Sequence, residues 1–384
     1  MTPAARTQAA IELVDQIVAA ARDNGAAADT LIARYFATRR YAGSKDRRAV
    51  RELVYAAIRA AGEVPATGRA ALLLLAQGDA ALAATFDGVA HGPAPIGAGE
   101  AAAAPGIAPG WLLDRLAASG IDAAEQAALI ARAPLDVRIN TLRPTPPDLG
   151  GEPIAGLPAA RRLPAGTDLA PHAGAVEVQD AGSQIVTLAA AAQPGQQLVD
   201  LCAGAGGKTL ALAAAMENQG RILACDTDRG RLQRLAPRAA RAGVTVAEPR
   251  LLDPGREPAA LADWQGSADT VLIDAPCSGT GTWRRNPEAR WRLTPDRLDR
   301  LAATQARLLD IGAALVRPGG TLVYIVCSLL DQEGADQAAA FAVRNGWRPA
   351  PLDLPAGRPH GAGRRLTPAH DRTDGFFVAR FQAP

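Results

Sequence analysis

The sequence predicts an α/β fold built on a parallel sheet and preceded by a helical region. Three observations carry this. From residue 196 onward, strand-like runs alternate with helix-like runs, the pattern of strands joined by crossover helices. A glycine-rich turn, Asp200-Leu-Cys-Ala-Gly-Ala-Gly-Gly-Lys-Thr209, follows the first of these strands. Through residues 5 to 86, apolar residues recur at helical spacing.

In chain order, Ile11, Val14, Ile17 and Val18 make one apolar helical face. Val50, Leu53, Val54 and Ile58 make another, opened by Asp46 and Arg47 after the break Gly43-Ser44. Residues 87 to 110 are dense in Gly, Pro and Ala and read as a linker or surface crossing. Trp111 to Arg132 read as helical. Asp136-Val-Arg-Ile-Asn-Thr-Leu142 alternates like a strand that Pro144, Pro146 and Pro147 end. The stretch 143 to 175 is either a small β-rich module or long loops. Expected strands follow at Gln197 to Leu201, Arg221 to Cys225, Thr270 to Ile273 and Thr321 to Val326. Expected helices lie at Thr209 to Met216 and Arg229 to Arg241. Phe376 to Phe381 reads as a late strand or hairpin arm. The expected domain limits are 1–90, 91–185 and 186–384.

A chain of 384 residues has room for two or three domains. Hydrophobic content of 48% and mean hydropathy near zero indicate a soluble globular protein. No stretch approaches the roughly 18 apolar residues that cross a bilayer. Met1 to Arg6 holds no apolar run placed as a secretion signal, so a cytoplasmic location and no membrane partner are expected. The four cysteines, 202, 225, 277 and 327, form no Cys-x-x-Cys motif, and the four histidines lie mostly in Gly/Pro-rich loops, so no metal site is expected. Nothing demands more than a monomer. A net charge of +2 does not by itself argue for nucleic acid. Only Lys45 and Lys208 are lysines among 41 basic residues, and Lys208 lies inside the glycine turn, where a point charge differs from a guanidinium.

The turn fails two common templates. Cys202 stands where a Walker A loop needs glycine, and Thr209 stands where the dinucleotide fingerprint needs its third glycine. What remains is a close approach of backbone to a ligand at a strand-to-helix turn, or a plain tight βα turn. Asp226, at the end of the next strand, suits a ribose diol.

Two cysteines stand at expected strand ends. In Asp274-Ala-Pro-Cys277, Pro276 forbids further ladder pairing and throws Cys277 out of the sheet. Cys327 ends an apolar strand before Ser328. Cys202 and Cys225 read instead as small buried hydrophobes. A thiolate that adds to carbon 6 of a cytosine makes carbon 5 nucleophilic toward an electrophilic methyl group. A carboxyl group at the ring nitrogen stabilises that adduct, and Asp274 is placed for the task. Between Gly281 and Arg300 there are six arginines against three acids, interleaved with tryptophans. Such a segment can grip phosphates and stack on unpaired bases, which singles out Trp283, Arg284 and Arg285; the alternative is a solvated, partly salt-bridged surface.

Asp200 to Thr209, Asp274-Ala-Pro-Cys-Ser-Gly279 and Val323-Tyr-Ile-Val-Cys-Ser-Leu329 resemble the motifs of the Sun/Fmu (Nop2-related) RNA cytosine-5 methyltransferases. The resemblance extends to Val137-Arg-Ile-Asn-Thr-Leu142 and Asp374-Gly-Phe-Phe377. Residues 31 to 59 resemble the NusB-like helical RNA-binding domain of bacterial members. The resemblance implies a Rossmann-like S-adenosylmethionine-dependent methyltransferase sheet, an all-helical NusB-like N-terminal domain and a small intervening RNA-binding module. It implies S-adenosyl-L-methionine as cofactor, lined by Cys202, Ala203, Gly204, Ala205, Gly206, Gly207, Lys208, Asp226, Asp253 and Asp274. It makes Cys327 the nucleophile, has Cys277 assist breakdown of the adduct, and adds Arg138 and Asn140 as RNA contacts. The implied partner is RNA, with small-subunit ribosomal RNA suggested by the helical domain. The chain departs from the family at Gly204-Ala205, where Ala-Pro is usual, at Val326 for Thr, and at Gly334 for Asn. Rival readings are a DNA cytosine-5 methyltransferase, which would use Cys277 as nucleophile, and a catalytically silent RNA-binding assembly factor.

Overall fold

The Pro/Gly-rich stretch after residue 134 forms a small antiparallel sheet in the computed structural model, which describes residues 1–23 and 25–384. Its strands are β1 (Leu135–Ile139), β2 (Glu152–Ile154), β3 (Leu157–Leu163) and β4 (Val176–Val178), in the order β2-β3-β1-β4. Of the two alternatives for residues 143 to 175, the β-rich module is therefore the one adopted.

The alternating elements that follow build a nine-stranded sheet. It comprises β5 (Gln197–Asp200), β6 (Arg221–Asp226), β7 (Ala247–Leu251), β8 (Ala268–Asp274), β9 (Val316–Val326), β10 (Arg348–Pro349), β11 (Arg358–His360), β12 (Gly363–Leu366) and β13 (Phe376–Gln382). The order is β11-β12-β13-β9-β8-β5-β6-β7, with β10 on β13. β7, β6, β5, β8 and β9 are mutually parallel, and β13 runs antiparallel to β9. The central strands β5, β6 and β8 and the later part of β9 carry apolar runs because both faces are covered, while β7, Ala-Glu-Pro-Arg-Leu at the sheet margin, does not. Leu198, Leu272, Val323 and Ile325 point to one face and pack with Leu210 and Leu212 of helix Gly207–Ala215. Val199, Val271, Ile273 and Leu322 point to the other, with Leu308 and Leu309 of helix Pro295–Leu315. Each such fully buried side chain contributes roughly 1.5–3 kcal/mol.

The two sheets belong to one compact unit, Arg132–Gly281 with Pro295–Pro384. The other unit is Met1–Ala131 with Thr282–Thr294. Its main helices are Pro3–Arg22, Ala28–Ala37, Ser44–Ala60 and Gly68–Ala76. The first is capped by the Thr2 hydroxyl, which accepts from the Ala5 amide, with Pro3 at the first helical position. Its core holds Val14, Ile17, Val50, Val54 and Ile58, the expected helical faces.

The domain limits differ from those read in the sequence. The small sheet sits with the large one, and the stretch expected to be a linker is laid against the helices. There Gly62 N–H donates to Ala104 O, and Ala103 N–H to Ala70 O. Gly/Pro-rich composition marks irregular backbone, and here irregular backbone still finds partners.

Candidate active site

Five parallel strands end on one edge, and the sequence places a carboxylate or a thiol at or just past each end. Asp200 closes β5, Asp226 closes β6, Asp253 follows β7, Asp274 closes β8 and Cys327 follows β9. The strand register brings these ends level: Asp200 lies opposite Leu272, and Asp274 opposite Ile325. This carboxyl edge is where open α/β sheets take their ligands.

The turn after β5 needs its glycines. Gly204 and Gly206 have φ of +57° and +88°, a region L side chains rarely adopt. A Cβ on Gly206 would meet Leu235 Cδ1 at 2.2 Å, whereas one on Gly204 would enter open space. Asp226 ties the turn to β6 by accepting from the Gly204 amide at 2.7 Å, and its other oxygen accepts from the Asp228 amide at 2.7 Å. Ala203 N–H donates to Cys225 O at 2.7 Å, and the Ala205 carbonyl accepts from Arg238 Nη1 at 2.5 Å. Gly207 and Lys208 open helix Gly207–Ala215, whose first amides favour an anionic group. Asp253 is exposed.

Lys208 Nζ donates to Asp274 Oδ2 at 2.6 Å and lies 5.6 Å from the Phe376 ring centroid. Burial opposes the charge on Lys208, but Asp274 outweighs it and lifts the ammonium above its ordinary value. Behind the pair, Asp200 is fully buried. Burial pushes its carboxyl up to about 7, although the Thr209 hydroxyl donates to Oδ2 at 2.7 Å. Its Oδ1 is buried without a hydrogen-bond partner.

The sulfurs of Cys277 and Cys327 are 3.3 Å apart, and both residues are partly buried. The hydrogen bond to Cys327, and then burial, raise the Cys277 thiol, which keeps its proton. Burial likewise raises the thiols of Cys202 and Cys225, the latter to about 12. Among the described residues, no group of three or more His, Cys, Asp or Glu side chains is placed to hold a metal ion. No helix among them is long and apolar enough to cross a membrane.

The RNA-contact expectations fare differently. Trp283 is 0% exposed and offers no face to a base, so its reading as a stacking residue is corrected. Arg284 is buried too and is poorly placed to grip a phosphate; Arg285 is partly buried. The cause is local. Tight turns at Thr280–Thr282 and Pro287–Arg292 fold this segment in among the helices, and Trp291 joins their core. Asn140 is also internal: its Nδ2 donates to Gly174 O and Ala242 O, and its Oδ1 accepts from the Leu142 amide. Arg138 is buried, donates from Nε to Gln179 Oε1 at 2.8 Å, and has an Nη2 without a partner. Burial lowers its guanidinium to about 10. Sequence reading did not single out Ser278 or Ser328 and took Glu333 only as a landmark. The available signal was that each strand-end cysteine is followed by serine.

A parallel sheet with this glycine turn, carboxylates at successive strand ends and an antiparallel strand beside β9 defines the Rossmann-like methyltransferase fold. The same fold appears in the solved structure of the protein PH0851, with a TM-score of 0.73, 22% identity and coverage of 98% of each chain. It also appears in a methyltransferase homologue from Pyrococcus horikoshii, with a TM-score of 0.59 and 26% identity over 72% of this chain and 99% of that one. Residues 187–382 match the family model described as 16S rRNA methyltransferase RsmB/F, and the chain belongs to that family. It is 36% identical to a probable ribosomal RNA small subunit methyltransferase B from Synechocystis over 65% of this chain and 60% of that protein. The chain spans about 60 to 65% of the length of the curated relatives it matches first.

Proposed function

We propose that this chain methylates carbon 5 of a cytosine in RNA, with small-subunit ribosomal RNA as substrate and S-adenosyl-L-methionine as donor, through a covalent adduct of Cys327. The observation that carries the reading is the pair of sulfurs 3.3 Å apart at the edge that also holds the Lys208–Asp274 pair. The RsmB/F family supports the RNA substrate.

The residues present fit the donor. Gly204 borders open space, Asp226 stands at the end of β6, and buried Asp200 Oδ1 lacks a partner. Cys202 to Lys208, Asp226, Asp253 and Asp274 would hold it, with the Cys202 and Gly204 positions acting through backbone. When bound, S-adenosylmethionine supplies an electrophilic methyl group. Cys327 as thiolate forms a bond to carbon 6 of the ring, and the electron pair of the 5,6 double bond moves to carbon 5. The Asp274 carboxyl, held by Lys208, is oriented to hydrogen-bond the ring nitrogen and stabilise the adduct. Once carbon 5 is methylated, a water acting as base takes its proton, the electron pair of that C–H bond re-forms the 5,6 double bond, and Cys327 leaves carbon 6 as thiolate. Cys277, in contact with Cys327, is the group placed to assist that breakdown. A base in a stack is closed to such attack, so the target is an unpaired or flipped cytosine.

The test is covalent trapping on denaturing gels with ribosomal RNA. Cys327→Ala forms no protein–RNA adduct, while Cys277→Ala accumulates one. The reverse pattern refutes the RNA assignment in favour of the mechanism that attacks through Cys277. Failure of the purified protein to bind S-adenosylmethionine would revive the silent assembly factor.

A further inference from the structure

Ser278 follows Cys277, Ser328 follows Cys327, and both serines reach one carboxylate. Glu333 is fully buried. Its Oε1 accepts from the Ser278 amide at 2.8 Å and from Gln305 Nε2 at 3.1 Å. Its Oε2 accepts from Ser328 Oγ at 2.6 Å and from Ser278 Oγ. Gln305 Nε2 also donates to Pro276 O at 3.0 Å, bracing the segment that carries Cys277. Thr280 Oγ1 accepts from the Leu329 amide at 2.8 Å, a second tie between the two loops. Tyr324 of β9 donates its hydroxyl to the Glu333 carbonyl at 2.6 Å, fixing the glutamate to the strand that ends at Cys327.

Burying a carboxylate costs several kcal/mol, and apolar side chains of similar volume often serve stability as well or better. A site that keeps the carboxylate and surrounds it with donors from two loops gains directional constraint instead. We propose that Glu333 is a positioning residue that yokes the loops after β8 and β9 and sets the contact between the two sulfurs. Its negative charge is also close enough to Cys277 to help hold the proton there, behind the larger effects of the Cys327 hydrogen bond and burial.

The catalytic importance of the yoke rests on the function proposed above, so its test begins without RNA or methyl donor. Diamide oxidation of the full chain joins Cys277 to Cys327 when their sulfurs are held in contact, and mass spectrometry of the cross-linked peptide follows the rate. In Glu333→Gln, and in the double variant Ser278→Ala/Ser328→Ala, cross-linking is expected to slow on the order of 10²-fold, the usual penalty for a misplacement near 1 Å. Iodoacetamide labelling of Cys277 is expected to begin at lower pH in Glu333→Gln than in the parent, because the nearby negative charge is gone. A packing role alone would not produce that change. Cross-linking at the parent rate in folded variants overturns the yoke, and so does an unmoved labelling profile. Should Glu333→Gln fail to fold, the double serine variant decides through its cross-linking rate. Adduct formation with RNA is read separately. If the parent cross-links but forms no adduct, the proposed function fails, and the cross-linking result still decides the yoke.

Discussion

The carboxyl edge of the parallel sheet and the segment Thr282–Thr294 are both dense in charged, aromatic or reactive side chains, and they use them in opposite directions. In the segment, side chains answer backbone. Arg290 Nη2 donates to Ile58 O at 2.6 Å and Ala61 O at 2.8 Å, at the C-terminal end of helix Ser44–Ala60. Arg292 Nη1 donates to Gly25 O, and Trp291 Nε1 to Gly62 O. Glu288 Oε1 accepts from the Ala28 amide at 3.0 Å, at the start of helix Ala28–Ala37. Cations on helix C-termini and an anion on an N-terminus satisfy the groups that a helix leaves open. At the sheet edge, Asp226 still answers backbone, but Lys208 pairs with Asp274, and Cys277 with Cys327. Where helix ends demand partners, arginine becomes structure. Where strands finish in a shared row, side chains meet side chains.

Three variants put this contrast to the test. The largest expected effect is from Trp283→Ala, which should cost about 3–5 kcal/mol of stability in a denaturant melt, as deletions of buried tryptophan do. Weaker RNA binding with unchanged stability would restore Trp283 as a stacking residue and dissolve the contrast. Next, Lys208→Ala should lower single-turnover methylation on the order of 10²-fold, through loss of the charge that orients Asp274, with a melt near that of the parent. A collapse of the fold with the activity would place Lys208 among the structural cations.

The third prediction concerns Asp200. Its carboxyl titrates at about 7 when folded against an ordinary 3.8, so between those values the folded chain keeps a proton that the unfolded chain loses. This contribution to stability is fully present below about 4 and falls as pH rises to about 7, with a slope of at most about 1.4 kcal/mol per pH unit. The stability of Asp200→Asn relative to the parent should therefore rise across that window and level off above it. A pH-independent difference in melts would mean that Asp200 ionises freely.

What was legible in the sequence follows from this division. The glycine turn, Asp226, Asp274, Cys277 and Cys327 could be placed because a parallel sheet puts every strand end on one edge, so finding the strands finds that edge. Glu333 could not be read that way, since its role depends on two loops meeting. Trp283 and Arg284 misled for a related reason: an Arg/Trp-rich string has the same composition whether it faces a phosphate or a helix terminus. The limit expected at residue 90 moved because the Gly/Pro-rich stretch hydrogen-bonds back onto the helices. β10, β11 and β12 are short, and composition gave them no alternation to read.

The strand carrying Cys327 is flanked on its outer side by one that is synthesised later. β13 lies between β9 and β12, with Phe377 opposite Val326. Just before it, the Gly375 amide donates to Gly281 O at 2.8 Å, and a Cβ on Gly281 would strike Gly375 O at 2.1 Å. During translation, a nascent polypeptide that has already delivered both thiols still has β9 as a bare sheet margin, open to pairing with a neighbour. Sealing that margin and seating the Cys277 loop against Gly375 draw on the same late stretch of chain, so the corner that holds the two sulfurs is complete only when that stretch is in place.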